Sequence, residues 1–398
     1  MMLIRKAYRY RLYPNLAQSE ALARNFGCAR FLYNYLLAER KRYYAEHKAD
    51  RDKRGLTYFD TTRQLKHLKR NPETIWLKEA HSQVLQQSLK DLDRAYQNFF
   101  AKRTAFPQFH KKSGRQSIRY PQGVQVGETW VSLPKIGKVR AVIHRHCEGK
   151  IKNVTVTKTK SGRFYASVQV ELEVPEPAPS VASAVGVDVG LKSFLVTSDG
   201  VSIPAPRYLR KAQKRLARLQ RQMSRRQPGS AGRAKARMRV ARQHERVANQ
   251  RNDFLHQTSR WLVKRYGLIG IEDLNVKGMV RNHRLARSIS DAGWGELRRQ
   301  LVYKGAWYGT QVMVIDRFYP SSRMCSVCGK VLPELPLAVR GWNCPNCGAQ
   351  HDRDLNAAMN LKNQASSRVG TTRIHAGGES VSPLETAAVL GEAGCRLL

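Results

Sequence analysis

An acidic residue in the middle of an apolar strand is the feature that most limits how this chain can fold. Residues 184–203, AVGVDVGLKSFLVTSDGVSI, predict a buried strand, a hairpin and a second strand, with a tight turn at Asp199-Gly200. Because strand side chains alternate, Asp188 shares one face with Gly186 and Gly190, which are expected to leave room for a cation or a phosphate. Asp188 must therefore be paired, hydrated or bound to a metal, or it is a strand-end residue that caps a turn.

Two later segments also place acids at the ends of apolar elements. Residues 268–274, LIGIEDL, predict a short buried strand that ends in Glu272, with Asp273 on the opposite face. Residues 351–360, HDRDLNAAMN, predict an acid at the start of an Ala-rich helix. Carboxylates of this kind suit Mg2+ or Mn2+, and two such ions about 3.5 to 4 Å apart can hydrolyse a phosphodiester.

The charge of the chain indicates a polyanionic partner. The 398 residues include 71 Lys and Arg against 30 Asp and Glu, for a net charge of +41. The basic residues are spread along the chain and no run of about 18 apolar residues occurs, so nucleic acid is favoured over a membrane. The N-terminal residues lack the apolar core of a signal peptide, and we expect a cytoplasmic, nucleoid-associated protein.

Four of the seven cysteines have metal-ligand spacing. Cys325, Cys328, Cys344 and Cys347 form C-x2-C-x15-C-x2-C, which predicts a structural, four-thiolate Zn2+ site. A glycine after each second cysteine, Gly329 and Gly348, allows the backbone to turn toward the metal. Two disulfides are the alternative, but they need an oxidising compartment that nothing in the sequence indicates.

Residues 207–251 contain sixteen Lys or Arg and a single acid, Glu245. They predict a helix with a buried stripe, a break at residues 227–232, and a second helix over 233–266 that is about 51 Å long. A solvated helical hairpin is the alternative, but it normally mixes both charge signs. A surface for many phosphates is therefore favoured.

The first 174 residues predict a helical region set between β-segments. Residues 3–12 alternate as a strand, and the helical pattern that follows to Tyr44 suggests two helices separated at Gly27, either a core hairpin or a helix-turn-helix reader of DNA. Further helices reach Phe100, and in the last of them Leu85, Leu89 and Leu92 form a core face. Residues 106–174 predict short strands of an antiparallel barrel or sandwich, completed by residues 3–12.

Together, the motifs G-V-D-V-G, I-E-D-L, S-I-S-D-A-G-W, the four cysteines and H-D-R-D-x-N-A-A resemble a known family. From about residue 1 to 365 the chain resembles the RNase H-like RuvC nuclease, in the form carried by TnpB (OrfB) proteins of bacterial insertion sequences. These are relatives of the type V CRISPR effectors.

The resemblance implies an α+β multidomain protein with a RuvC-like α/β nuclease core over residues 181–320 and 350–368. A zinc ribbon at 321–349 is inserted in that core. Residues 1–12 and 105–180 correspond to an antiparallel β-barrel wedge domain, and residues 13–104 to an α-helical recognition domain. Residues 369–398 have no counterpart, and we expect a mobile tail there.

The resemblance also implies the site residues and the partners. The pattern D-x-N-A-A falls on Asp354, so Asp188, Glu272 and Asp354 are the expected catalytic Mg2+ or Mn2+ ligands, with Asp188 shared by both ions and Asp352 as a helix N-cap. The outward face of the helix around Gln86 is expected to read a short duplex motif beside the target, with the Gln86 amide facing adenine. The expected nucleic-acid contacts are Tyr58, Ser82, Gln86, Lys150, Lys152, Lys158, Lys160, Arg207, Lys211, Lys214, Arg215, Arg218, Arg221 and Arg225.

The function that follows from this resemblance is an RNA-guided DNA endonuclease of a transposon, with a transposon-derived guide RNA and double-stranded DNA as partners. Two other classes stay open on the residues alone. One is a non-cleaving zinc-ribbon regulator that binds nucleic acid, which the three acids argue against. The other is an unguided resolvase or transposase nuclease, which the N-terminal half and the basic helices argue against.

Overall fold

The computed structural model describes residues 1–50, 55–177 and 183–372, and side chains up to residue 369. The chain forms two compact units: Met1–Pro175 with Arg237–Arg242, and the remaining described residues. Within the described ranges, no helix combines the length and the apolar character that a membrane crossing requires. Most of the predicted tail, residues 373–398, and residues 178–182 of the predicted linker lie outside the described residues.

A seven-stranded antiparallel sheet forms the β-part of the first unit, in the order β2-β6-β7-β1-β5-β4-β3. Its strands are β1 Met2–Tyr13, β2 Gln116–Tyr120, β3 Gln125–Val126, β4 Trp130–Leu133, β5 Gly137–Val142, β6 Lys150–Lys158 and β7 Phe164–Val174. The N-terminal strand β1 lies inside the sheet, paired with β7 and β5, so the prediction that it completes the β-region is confirmed. No ladder joins β2 to β3 among the described residues, so the predicted antiparallel barrel or sandwich is a half-barrel sheet in the structure.

The helices of the first unit are α1 Leu16–His47, α2 Tyr58–Leu68 and α3 Ser82–Phe100. The predicted break at Gly27 is wrong, because α1 continues through it. Glycine costs about 1 kcal/mol in a helix interior, and the burial of Leu22 and Phe26 before it and of Leu32 and Leu36 after it outweighs that cost. On α3 the predicted faces are confirmed: Leu85, Leu89 and Leu92 are buried, and the outward residues Ser82, Gln86, Lys90 and Arg94 are exposed.

A mixed five-stranded sheet, in the order β10-β9-β8-β11-β12, organises the second unit. Its strands are β8 Ala184–Val189, β9 Ser193–Thr197, β10 Ser202–Pro204, β11 Leu268–Glu272 and β12 Gln311–Ile315. Residues 184–203 thus form three strands rather than two, and the predicted turn at Asp199-Gly200 joins the last two, with Gly200 at φ +86°. Strands β8, β11 and β12 are parallel, which brings their carboxyl ends to one edge.

Helices surround this sheet: α4 Tyr208–Ser224, α5 Ala231–Arg265, α6 Val276–Met279, α7 Ala286–Ala292, α8 Trp294–Tyr308 and α9 Arg353–Thr372. The last two strands, β13 Gly341–Asn343 and β14 Gln350–Asp352, pair with each other in the four-cysteine segment. Helix α5 has 35 residues, about 52 Å at 1.5 Å per residue, as predicted. The Asp291 carboxylate, next to the start of α8, accepts from the Leu209 N–H at the start of α4 and from Arg251.

Two register-paired glycines, Gly186 on β8 and Gly270 on β11, let α9 pack directly on the sheet. A Cβ atom on Gly186 would lie 1.8 Å from the carbonyl oxygen of Ala358, and one on Gly270 would lie 2.5 Å from that of Leu361. The face of β8 that carries Gly186 is therefore filled by a helix. The expectation that Gly186 leaves room for a cation or a phosphate is wrong.

We expect Gly186→Ala to destabilise the second unit by at least about 2 kcal/mol, because the added methyl group meets helix backbone that cannot move aside. Gly295→Ala, in α8 of the same unit, is the matched control. No atom of a neighbouring element in the described chain lies within 4 Å of its added Cβ, so this change should stabilise the helix by up to about 1 kcal/mol. Thermal unfolding measures both, and equal melting temperatures for Gly186→Ala and the parent would contradict the packing.

Candidate active site and zinc ribbon

The packing of α9 brings Asp354 to the strand that carries Asp188. Gly186 meets Ala358, and two residues along β8 span about the same distance as one turn of a helix, so Asp188 lies opposite the first turn of α9. Asp354 is in that first turn. The face of β8 that packs against α9 therefore also carries Asp188, next to the N-terminal turn of α9.

Glu272 reaches the same edge from the neighbouring strand. Val187 on β8 is in register with Ile271 on β11, so Asp188 and Glu272 follow as neighbours at the ends of parallel strands. All three acids are half-buried. Burial is the largest cause that raises the pKa of Asp188 well above its ordinary value, and the nearby carboxylates of Glu272 and Asp354 raise it further. The Arg353 and Arg340 charges act in the opposite direction.

Each of the other two acids has a partner. The Ser321 hydroxyl donates to Oε1 of Glu272, and the Arg340 guanidinium donates to Oδ1 of Asp354 at 3.0 Å. Within the described residues, the four cysteines are the only group of three or more Cys, His, Asp or Glu whose ligand atoms all lie within 4.8 Å of one another. The three acids therefore share one edge, but their oxygen atoms are not gathered as tightly as the sulfurs.

Asp352 and Asp273, which the sequence analysis did not choose as metal ligands, have other roles. Asp352 caps α9, because its Oδ1 accepts from the backbone N–H groups of Asp354 and Leu355, both at 3.0 Å, as predicted. Asp273 is bound by Arg317 at 2.7 Å and by Arg298, and these hydrogen bonds lower the pKa of its carboxyl. Asp273 is thus held by two cations of the protein itself.

The carboxylate site fits a divalent cation. Three carboxylates that approach one another repel, and the raised pKa of Asp188 records that repulsion together with desolvation. Oxygen ligands from Asp and Glu are the donors that Mg2+ and Mn2+ prefer. Asp188, Glu272 and Asp354 would hold such ions.

The four cysteines come together as predicted. The Sγ atoms of Cys325 and Cys347 are 3.7 Å apart, and those of Cys328 and Cys344 are 3.6 Å apart. Gly329 and Gly348 have φ of +75° and +73°, and each donates its N–H at 2.9 Å to the carbonyl oxygen of the first cysteine of its pair. These two turns close four sulfurs around one point, which fits a tetrahedral metal site.

The sulfurs favour different protonation states. Hydrogen bonds from the Lys330 backbone and the Asn346 side chain lower the pKa of Cys328 to about 6, and this thiolate is the form that binds a metal. Cys347 also receives a backbone hydrogen bond, from Ala349, but partial desolvation and hydrogen bonds to the other sulfurs raise its pKa to about 12. Sulfurs this close cannot all ionise unless a cation neutralises them.

Two contacts beside the sites had no signal in the sequence. Nε2 of His351 lies 3.1 Å from Sγ of Cys325, and its ring lies 4.6 Å from that of Trp342, which is buried in the core of the ribbon with Cys325 and Cys344. Arg340 precedes β13 and pairs with Asp354. Both contacts depend on how the ribbon folds back on α9, which spacing alone does not reveal.

The predicted nucleic-acid contacts differ in their surroundings. Every selected cation at the start of the basic region is exposed: Arg207, Lys211, Lys214, Arg215, Arg218, Arg221 and Arg225. On β6, Lys150 is exposed and so is Lys160 just beyond it, whereas Lys152 pairs with Glu171 at 2.9 Å and Lys158 is half-buried over the Phe164 ring. Tyr58 is half-buried against the helical core, and Ser82 accepts from Lys69 at 3.3 Å.

Three family models match the chain. They are OrfB_IS605, described as a probable transposase, at residues 167–283; the Cas12f1-like TNB domain at 294–361; and a helix-turn-helix domain at 1–49. The last match covers β1 and α1, where the structure has one continuous helix. The middle match includes all four cysteines.

Full-length relatives agree with these models. A protein of Streptomyces pristinaespiralis, provisionally named an RNA-guided DNA endonuclease, is 41% identical over 91% of this chain and 89% of its own length. A similarly named protein of Escherichia coli K12, InsQ, is 39% identical over 89% of this chain and 91% of its own length. The Cas12f1 chain in a complex with guide RNA and target DNA has the same overall fold at 13% identity, with a TM-score of 0.54 over 90% of this chain and 99% of that one.

The family models and the full-length relatives place the chain in the class of transposon-encoded nucleases. The chain belongs to the TnpB (OrfB) family. The resemblance found in the sequence motifs is confirmed.

Proposed function

We propose that this protein is an RNA-guided DNA endonuclease of a transposon that cuts DNA next to a short motif by metal-dependent phosphodiester hydrolysis. The observation that carries the proposal is the convergence of Asp188, Glu272 and Asp354 on one sheet edge, in a chain with 41 net positive charges. Relatives that share 39% and 41% of their residues with it carry the name of this activity. Because genomic DNA is the substrate, the activity belongs at the nucleoid, in the cytoplasm.

The chemistry is assigned to residues of the second unit. Asp188, whose carboxylate interacts electrostatically with both other acids, would help to hold both ions, and Glu272 and Asp354 would each help to hold one. Bound there, Mg2+ or Mn2+ supplies an activated water and stabilises the leaving oxygen. The ribbon cysteines hold structural Zn2+, because four thiolates leave no open position for a reacting water.

The sheet order supports a RuvC-like core. Three strands that run antiparallel, followed by two that are added in parallel with helices on the sheet, give the α/β arrangement expected of an RNase H-like nuclease, with the acids at one edge. We assign the half-barrel sheet to the wedge domain and α1 to α3 to the recognition domain. The ribbon interrupts the core between β12 and α9.

The guide RNA is assigned to the basic surfaces. Leu216 of α4 is buried, whereas the seven selected cations on and beside this helix are exposed. The exposed face of α4 is therefore free to bind phosphates. In the first unit, exposed Lys150 and Lys160 offer phosphates a basic surface of their own, whereas Lys152 must first leave Glu171. A-form segments of a structured RNA can be gripped in this way without base readout.

Gln86 is the proposed reader of the motif, because it is exposed on the outward face of α3 and its amide can pair with adenine. Gln86→Ala should reduce discrimination at one motif position by about 1 to 3 kcal/mol, roughly 5- to 150-fold. Gln97→Ala on the same helix is the control, since that amide donates to Asp93 at 3.0 Å. Cleavage of a library of randomised motifs measures both variants. An unchanged preference in Gln86→Ala contradicts this assignment.

Copurification of RNA tests the function itself. A net charge of +41 is relieved only by neutralisation with many phosphates, which a structured RNA of the order of a hundred nucleotides supplies. We expect protein expressed with its native flanking DNA to copurify with a discrete RNA at moderate salt. Site-specific cutting by the RNA-free protein favours an unguided nuclease, and RNA binding without cutting favours a regulator.

A further inference from the structure

The segment that joins β12 to the first cysteine turn contacts the candidate active site through one buried hydroxyl. Ser321 is 4% exposed, and its Oγ donates to Glu272 Oε1. Glu272 is the last residue of β11. A single buried donor therefore selects which carboxylate oxygen faces the other acids.

Two buried amides on α9 fix the backbone around this serine. Nδ2 of Asn360 donates to the carbonyl oxygens of Ser321 at 2.7 Å and Met324 at 2.6 Å. Nδ2 of Asn356 donates to Met324 at 2.8 Å, and its Oδ1 accepts from the Ser326 N–H at 3.0 Å. Both asparagines are 1% exposed.

These bonds join three parts of the second unit. Met324 and Ser326 flank Cys325, the first cysteine of the ribbon. Asp354 lies in the first turn of α9, two residues before Asn356. Helix α9 thus carries Asp354 and also hydrogen-bonds to the backbone of the first cysteine turn. Through Ser321 the same hydrogen bonds influence the position of Glu272. An exposed serine without these backbone hydrogen bonds would not couple the position of the ribbon to Glu272.

We infer that Ser321 is a positioning residue for Glu272, and that Asn360 and Asn356 make its position depend on the seating of the first cysteine turn of the ribbon. The inference rests on the proposed function, because Glu272 is taken as a metal ligand. Residues that hydrogen-bond to a metal ligand typically change metal affinity or activity by about 10- to 100-fold when they are removed.

Mn2+ binding to the full-length, RNA-free protein by titration calorimetry tests the inference without relying on cleavage. Asp188→Ala identifies the heat that belongs to the acid site. We expect Ser321→Ala to weaken this Asp188-dependent binding by about 10- to 100-fold, and Ser321→Thr, which keeps the hydroxyl, to restore it within a few-fold. The Mg2+ concentration for half-maximal cleavage by the ribonucleoprotein should be lowest for the parent, slightly higher for Ser321→Thr and highest for Ser321→Ala.

Two further variants separate positioning from folding. Ser322→Ala removes the adjacent hydroxyl, which makes no side-chain hydrogen bond in the described chain, and should bind Mn2+ like the parent. Asn360→Asp keeps the size but replaces the donor with an acceptor, and should weaken Mn2+ binding while all four cysteines remain.

The outcomes are distinguishable. Parental Mn2+ affinity in Ser321→Ala, with the heat lost in Asp188→Ala, overturns the positioning role and leaves the proposed function intact. If Asn360→Asp binds like the parent, the dependence on the ribbon is wrong. Equal heat in the parent and in Asp188→Ala, or none in either, overturns the acid site and this inference together.

Discussion

Asp188→Ala is expected to lower the rate of DNA cleavage by at least about 10³-fold while leaving DNA binding largely unchanged. The substitution removes the carboxylate that interacts electrostatically with both Glu272 and Asp354. Metal ions held by such acids contribute several kcal/mol to phosphodiester hydrolysis, and each 1.36 kcal/mol is about tenfold in rate. Binding should persist, because the phosphates are met by the basic surfaces. Asp188→Asn keeps the side-chain volume and removes only the charged metal ligand. It should lower the cleavage rate as much as Asp188→Ala does.

The H-D-R-D motif supplies a matched pair for the same prediction. Asp354→Asn should be as inactive as Asp188→Ala. Asp352→Asn should cut normally, because asparagine caps a helix as well as aspartate does and the N–H groups of Asp354 and Leu355 keep their acceptor. Single-turnover cleavage with purified components measures each rate. An Asp188→Ala protein that still cuts in Mg2+ would show that the acids were assigned wrongly.

Loss of the ribbon is the second large effect. Structural Zn2+ contributes about 10 to 16 kcal/mol of binding energy in small zinc domains, and this energy is folding energy. We expect one zinc per chain in the parent. In Cys344→Ser the zinc content should fall well below one, and residues 325–347 should become open to proteases, because Cys344 is a buried member of the sulfur cluster.

Cys147→Ser is the control for that experiment. Cys147 is half-buried against the half-barrel sheet, and it is not part of the cluster. Its variant should keep one zinc and the parental proteolysis pattern. Elemental analysis that finds no zinc in parent protein purified without chelators would contradict the four-thiolate site.

Much of the architecture was predictable because local patterns decide it. The cysteine spacing predicts a closed cluster, and the three-and-four spacing of Leu85, Leu89 and Leu92 predicts which face of α3 is buried. The exposed basic residues of α4 follow from the same periodicity. In each case neighbours within a turn or a knuckle determine the outcome.

The contacts that sequence did not predict join residues far apart in the chain. Gly27 breaks no helix because tertiary burial on both sides of it outweighs its local cost. In the sequence, Gly186 predicts open space beside Asp188, but α9, which starts 167 residues later in the chain, fills that space. Ser321 and Arg340 reach Glu272 and Asp354 only once the ribbon folds back, so no periodicity in the sequence identifies them.

Reprogrammed cutting tests the central claim most directly. The ribonucleoprotein purified with its native RNA is compared with one in which only the guide end of that RNA is replaced, on plasmids that carry either target beside the same motif. We predict that each complex cuts only the plasmid matching its guide, that Asp188→Ala cuts neither, and that RNA-free protein cuts neither at a defined site. Cutting that ignores the guide, or efficient site-specific cutting without RNA, would contradict the account.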